Sequence, residues 1–178
     1  MPRAEGYFQK RGAHIDFGLP PKIPIALRDI DPSKMQYLSF RFGYRYNRTL
    51  HDNGDPFREH RPIVELTPRY LFPAKLLLTN RNRLDMRWVN GVYSWRYRPR
   101  LTLEREFQVG EKGVLTPYTS GELYYDSRFD TWNRNRYAFG LQTFNRYFIV
   151  DTYFMRQNDS RSSPNHVNAI GLALNLFF

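Results

Sequence analysis

Arg81-Asn-Arg-Leu-Asp-Met-Arg-Trp-Val-Asn90-Gly91-Val-Tyr-Ser-Trp-Arg-Tyr-Arg-Pro-Arg100 reads as two strands folded about a two-residue turn. Asn-Gly is the dipeptide preferred in a type I′ hairpin turn, because both central residues take positive φ, and such a turn fixes the register of the strands it joins. Pairing outward from Asn90 and Gly91 sets Trp88 opposite Tyr93, Met86 opposite Trp95 and Leu84 opposite Tyr97. The other parity sets Asp85 opposite Arg96, Arg83 opposite Arg98 and Arg81 opposite Arg100. Successive strand residues point to opposite faces. One face of this hairpin is therefore large and apolar, and the other is almost entirely charged.

The same period-2 pattern extends in both directions. In 36–48, Leu38, Phe40, Phe42, Tyr44 and Tyr46 alternate with Ser39, Arg41, Gly43, Arg45 and Asn47. In 61–72, Val64, Leu66, Tyr70 and Phe72 alternate with Arg61, Glu65, Thr67 and Arg69, and His51-Asp-Asn-Gly-Asp-Pro56 between these runs is a loop by composition. Downstream, 115–126 alternates Leu115, Pro117, Leu123 and Tyr125 with Tyr118, Ser120, Glu122, Tyr124 and Asp126. Runs at 133–144 and 147–157 continue the pattern, and 166–178 closes it with Ile170, Leu172, Leu174, Leu176 and Phe178 on one side. The reading is eight antiparallel strands, or ten if the first 35 residues supply a further pair. Within that segment, Ala13–Leu19 suits a strand, and Pro20, Pro21 and Pro24 make 20–25 an extended connector. The domain division is thus an irregular extended segment over 1–35 and a β-barrel over 36–178.

Composition narrows the class. The 178 residues carry 27 Lys+Arg against 17 Asp+Glu, and 22 of the cations are Arg. The absence of cysteine excludes disulfide scaffolds, thiolate metal sites and Cys nucleophiles. A mean hydropathy of −0.66, with no apolar run near the roughly 20 residues of a spanning helix, excludes helical membrane proteins. Fourteen Phe, 13 Tyr and 3 Trp are too many for a disordered chain. The opening residues show no charged start, apolar stretch and cleavage site of a secretory signal. We take the chain as a mature or truncated form rather than one retained inside the cell.

Alternation alone does not say which face is buried. A soluble barrel turns its apolar face inward, whereas a membrane barrel turns it to lipid and its polar face to the lumen. Length favours the second, since soluble strands peak near 5–6 residues and a tilted bilayer-crossing strand needs about 9–11. Volume favours it too: an eight-stranded barrel is only just wide enough to be filled by side chains, and the aromatic face would overfill it. Trp88, Tyr93, Trp95, Tyr97 and Phe139 are then membrane-facing, the Trp and Tyr side chains suiting the interfacial girdles. The expected fold is an up-and-down transmembrane β-barrel with both termini on the periplasmic side and 49–60, 90–91, 127–132 and 158–165 as outer loops.

The alternating run Ile170, Leu172, Leu174, Leu176, Phe178 resembles the C-terminal assembly signal of bacterial outer-membrane barrels. More widely, the chain resembles an uncharacterised family of outer-membrane β-barrels known only as a domain of unknown function. The resemblance rests on Arg61-Pro-Ile-Val-Glu65, Arg81-Asn-Arg83-Leu-Asp-Met-Arg87, Arg96-Tyr-Arg98-Pro-Arg100 and Pro117-Tyr-Thr-Ser-Gly-Glu-Leu-Tyr-Tyr-Asp126, followed by Arg136-Tyr-Ala-Phe-Gly140 and Asp151-Thr-Tyr-Phe-Met-Arg-Gln157. It implies a location and a fold but no established activity. It also implies the barrel-assembly machinery as a partner of the last strand, with outer-membrane lipid and lipopolysaccharide as surroundings.

If the polar faces line a lumen, Arg81, Arg83, Arg87, Arg96, Arg98, Arg100 and Arg136 form a ladder there, with Arg41, Arg45, Arg69 and Arg134 facing the same way. Like charges directly opposite are destabilising, so Glu65, Asp85, Glu104, Glu106, Glu122, Asp126 and Asp151 are the expected counter-ions. The guanidinium fork binds two carboxylate oxygens at once and stays charged when desolvated. Such a network fills a closed barrel, or, if guanidinium is in surplus, lines a narrow anion-preferring channel.

Other classes fit less well. A lipid-modifying hydrolase needs a Ser beside a His oriented by an acid or amide. The histidines are His14, His51, His60 and His166; His166 has no serine two residues on and His51 and His60 have none nearby in sequence, which leaves Ser39, Ser94 and Ser120 as the serines folding could bring to them. No cofactor or metal is expected, because histidines are few and Asp52-Asn-Gly-Asp55 is too short for a calcium loop. A soluble basic barrel binding an apolar ligand or nucleic acid is the runner-up. Single-strand binders carry aromatics and cations on one surface, and here alternation sends them to opposite faces, so no nucleic acid is expected.

Overall fold

The computed structural model describes residues 8–19, 37–49, 57–110, 113–145 and 148–176. Among them the regular structure is all β apart from one 3-10 turn at Pro73–Lys75. The strands are β1 (Phe8–Leu19), β2 (Leu38–Thr49), β3 (Arg58–Phe72), β4 (Leu76–Val89), β5 (Val92–Arg105), β6 (Phe107–Val109), β7 (Gly113–Asp126), β8 (Thr131–Asn145), β9 (Phe148–Asp159) and β10 (His166–Leu176). Each long strand pairs antiparallel with its neighbour in sequence, giving the path β1-β2-β3-β4-β5-β7-β8-β9-β10, with short β6 also on β7. Among the described residues no pairing joins β1 to β10, so the sheet is open.

The Asn90-Gly91 hairpin has the expected geometry. Asn90 (φ 50°) and Gly91 (φ 85°) take the positive angles of a type I′ turn. The register pairs Trp88 with Tyr93, Met86 with Trp95, Asp85 with Arg96, Arg83 with Arg98 and Arg81 with Arg100. The path holds nine strands rather than eight. The added one is β1, which begins at Phe8 and pairs with β2 from Phe8–Thr49 to Leu19–Leu38, so the sheet starts ahead of residue 36. Gly12 and Gly18 interrupt the alternation there, but backbone pairing against β2 does not depend on a side-chain pattern. Strands also run into segments whose composition reads as loop: β3 starts at Arg58, β8 at Thr131, and β9 continues to Asp159.

The two faces differ in burial in the sense opposite to that of a water-soluble protein. Uncovered are Phe42 (48% exposed), Tyr93 (52%), Leu101 (52%), Phe139 (61%), Ile170 (87%) and Leu172 (74%). Buried are Glu59, Glu65, Asp85, Glu122, Asp126 and Asp159, together with Arg87 and Tyr124. The buried face also carries Ile63 and Leu77, so it is not wholly polar.

Cross-strand partners arrange this face in rows. One row reads Leu71, Leu77, Glu104, Tyr118, Gly140, Tyr153, Gly171. Here glycine is a packing requirement: a Cβ on Gly140 would stand 2.6 Å from the Tyr118 ring, and one on Gly171 would overlap the ring of Tyr153. Another row reads Arg81, Arg100, Glu122, Arg136, Gln157. A third includes Arg41, Glu65, Arg83 and Arg98.

Candidate functional site: an arginine–carboxylate face

Alternation puts Arg81, Arg98, Arg100, Glu122 and Arg136 on one face, and register brings them together. Glu122 is 1% exposed and takes Arg81 Nη2 at 2.8 Å, Arg98 Nη2 at 3.0 Å and Arg100 Nη2 at 2.8 Å, with Arg136 Nη1 at 3.7 Å. The Tyr124 hydroxyl donates to Glu122 Oε2 at 2.8 Å and accepts from Arg98 Nη2 at 3.2 Å. Around the Tyr124 ring lie the guanidinium carbons of Arg98, Arg134 and Arg136, at 4.6, 5.4 and 5.6 Å from its centroid. Cations over an aromatic face are attracted by its quadrupole, most strongly where water is excluded. This ring therefore shares with Glu122 the task of holding mutually repelling guanidinium groups.

Around this hub the other expected pairs form. Asp85 accepts from Arg83 Nε at 2.8 Å and lies 3.6 Å from Arg98 Nη1. Glu65 lies 3.5 Å from Arg41 Nη1 and 3.9 Å from Arg81 Nε. Asp126 takes Arg96 Nη2 at 2.6 Å and Arg128 Nη2 at 2.7 Å, and it also accepts from the Arg128 backbone N–H at 3.2 Å, which braces the β7–β8 turn. The side-chain hydrogen bond to Asp126 holds the Arg128 guanidinium above its ordinary pKa. Asp151 is different: its acceptors face Tyr118 Oη at 3.0 Å and Gln142 Nε2 at 3.4 Å rather than a guanidinium. Glu104 stands in the row of Leu77 and Tyr118.

Two hubs lie outside the expected set. Glu59 (2% exposed) accepts from Asn47 Nδ2 at 2.7 Å, Arg61 Nη2 at 2.7 Å and Arg87 Nε at 2.6 Å. Asp159 binds the Arg134 guanidinium and accepts from the Arg161 backbone N–H at 3.0 Å. Both sit at strand ends that read as loop in the sequence; continuing the parity of β3 and β9 by one step would have found them.

On the opposite face Trp88 packs on Tyr93 with centroids 4.9 Å apart, and Trp95 stacks on Tyr125 at 5.0 Å. Tyr97 donates to Asn82 Oδ1 at 2.6 Å, and Phe139 meets Phe154 at 5.2 Å. Ile170, Leu172, Leu174 and Leu176 of β10 are exposed, and Phe178 lies outside the described residues. His60 hydrogen-bonds the Tyr44 hydroxyl at 2.5 Å, and His166 hydrogen-bonds Asn165 Oδ1 at 3.0 Å. The side chains of His14 and His51 are outside the described residues. No group of three or more His, Asp or Glu among the described residues is arranged to hold a metal ion.

A family model described as "Protein of unknown function (DUF2490)" matches residues 34–168. No curated protein and no solved structure matches the chain. The matched span runs from ahead of β2 into β10 and takes in the hubs at Glu59, Glu122, Asp126 and Asp159. On this match over most of its length, the chain belongs to the DUF2490 family of proteins of unknown function.

Proposed function

We propose that the chain is a non-enzymatic β-barrel of the bacterial outer membrane, its aromatic face in lipid and its interior filled by the arginine–carboxylate network. The observation that carries this reading is the inverted burial: uncovered Phe139 and Ile170 against enclosed Glu122 and Asp126. In water such a surface is an aggregation liability; in hydrocarbon it is the required one. Arg48, Arg58 and Arg161, exposed at the same end of the sheet, suit lipopolysaccharide phosphates. The exposed side of β10 suits the barrel-assembly machinery.

Register supports closure. Leu38 opens β2, and its row across the sheet meets β10 at Asn168, near that strand's start. Joining β10 to β2 with Leu176 beside Leu38 therefore carries a stagger of about eight residues over eight strands, the shear that goes with a tilt of about 36°. β2 and β10 run antiparallel, as this closure needs, whereas β1 and β10 run parallel. In the structure β1 occupies the β2 edge, so closure displaces it.

The chain has no native cysteine, which makes cross-linking clean. Ser39→Cys with Asn175→Cys is expected to form an intramolecular disulfide in detergent micelles, alongside heat-modifiable gel mobility. Preferential cross-linking of Ser39→Cys to Gly18→Cys, its β1 partner, without heat modifiability would reject the barrel. A second reading, a narrow anion-preferring channel, is favoured by the four guanidinium groups around the single carboxylate of Glu122. It requires bilayer conductance with an anion-selective reversal potential.

A further inference from the structure

The charge balance around Glu122 is incomplete. Arg81 is shared with Glu65 and Arg98 with Asp85, but among the described residues Arg100 and Arg136 have no other carboxylate contact within 4 Å. Arg136 spends Nε and Nη2 on the neutral Gln157 Oε1, at 3.2 and 2.6 Å, and only Nη1 approaches Glu122, beyond hydrogen-bond range at 3.7 Å. Arg100 binds Glu122 through Nη2 alone, and its Nε has no acceptor among the described residues. The two flank Glu122 in one row, with side chains 30% and 28% exposed, so an incoming group can reach both. In the next row on the same face stand Thr102, Ser120 and Ala138. These side chains are short, and two of them offer hydroxyls.

We propose that Arg100 and Arg136, flanking Glu122 and next to the Thr102 and Ser120 hydroxyls, bind an oxyanion of the phosphate type. A tetrahedral oxyanion presents several acceptors at once and matches the guanidinium fork, and it cancels the like-charge repulsion that one carboxylate shared among several arginines leaves. The proposal rests on the barrel reading in one respect, that this face is an enclosed interior. The ligand is either free phosphate entering from the lumen or the phosphodiester headgroup of a lipid.

The test uses the full chain in detergent micelles, with inorganic phosphate titrated calorimetrically at ionic strength held constant with chloride. Saturable binding is expected, weakened about tenfold or more by Arg100→Gln or Arg136→Gln, since each removes a charge-assisted hydrogen bond. Glu122→Gln keeps all the arginines and removes their competitor. It is expected to bind phosphate more tightly than wild type and to gain more in thermal midpoint from it, a direction no general loss of folding produces. In a parallel arm, nanodiscs with and without phosphatidylglycerol replace inorganic phosphate; a response there alone assigns the site to the lipid headgroup. Phosphate acting no differently from chloride on both wild type and Glu122→Gln, with no response to phosphatidylglycerol, overturns the site. Heat modifiability measured on the same samples separates the two readings. A heat-modifiable protein that ignores both probes loses the oxyanion site and keeps the barrel, and binding by a protein that is not heat-modifiable does the reverse.

Discussion

Glu59 is 2% exposed and receives four donor nitrogens from three side chains, and among the described residues its carboxylate is the only acceptor that Arg87 Nε and Asn47 Nδ2 have. Removing one member of a buried ion network leaves the others desolvated without compensation, which costs about 3–5 kcal/mol. Glu59→Ala is therefore expected to lower stability by about 3 kcal/mol, read from denaturant unfolding in detergent. A change near that of an ordinary surface substitution, within about 0.5 kcal/mol, would mean the cluster is not desolvated. The residue is hidden from sequence reading because the Asn, Gly, Asp and Pro that precede it signal a loop, and no local rule says where that loop ends. Glu122, by contrast, belongs to the charged face by alternation alone. That Arg81, Arg98, Arg100 and Arg136 would all converge on it is not legible in the same way, since they come from three strands.

At the scale of elements, the β9–β10 pair is held partly by the seating of Tyr153 over Gly171, where a Cβ would overlap the ring. Gly171→Ala is expected to destabilise by about 1–3 kcal/mol through overpacking. Combined with Tyr153→Ala it should cost less than the sum of the two single changes, because the atoms nearest to that Cβ all belong to Tyr153. Additive costs in the double-mutant cycle would show that the ring does not depend on the glycine. In the β4–β5 turn, Gly91 at φ 85° has open space around it, so a substitution there meets only backbone strain. Gly91→Val is expected to cost about 1–2 kcal/mol in the same unfolding assay. The hairpin is legible because its dipeptide and its alternation agree. β1 is only partly legible, since Gly12 and Gly18 break the pattern while its backbone still pairs.

For the whole molecule the decisive quantity is the solvent facing the aromatic side. Leu172 is 74% exposed. Leu172→Lys is expected to cost about 2–4 kcal/mol when the protein is unfolded from lipid vesicles, because a charge there would meet hydrocarbon. At a water-facing position the same change stays within about 0.5 kcal/mol, and that result would return the chain to the soluble class. Trp88 and Trp132, both uncovered on this side, should be quenched by brominated lipid; unaltered fluorescence would likewise place the aromatic side in water.

The amino-acid sequence by itself determined eight of the strands, the Asn90-Gly91 register and the separation of apolar from charged residues, because period 2 and turn chemistry act over neighbouring positions. It also identified most of the ions. Only the tertiary structure decided which ions share a carboxylate, that Glu59 and Asp159 are hubs, and that Tyr124 sits amid three guanidinium groups. Those relations depend on side-chain reach between strands whose pairings are summed across the sheet, and no single stretch of sequence contains that sum.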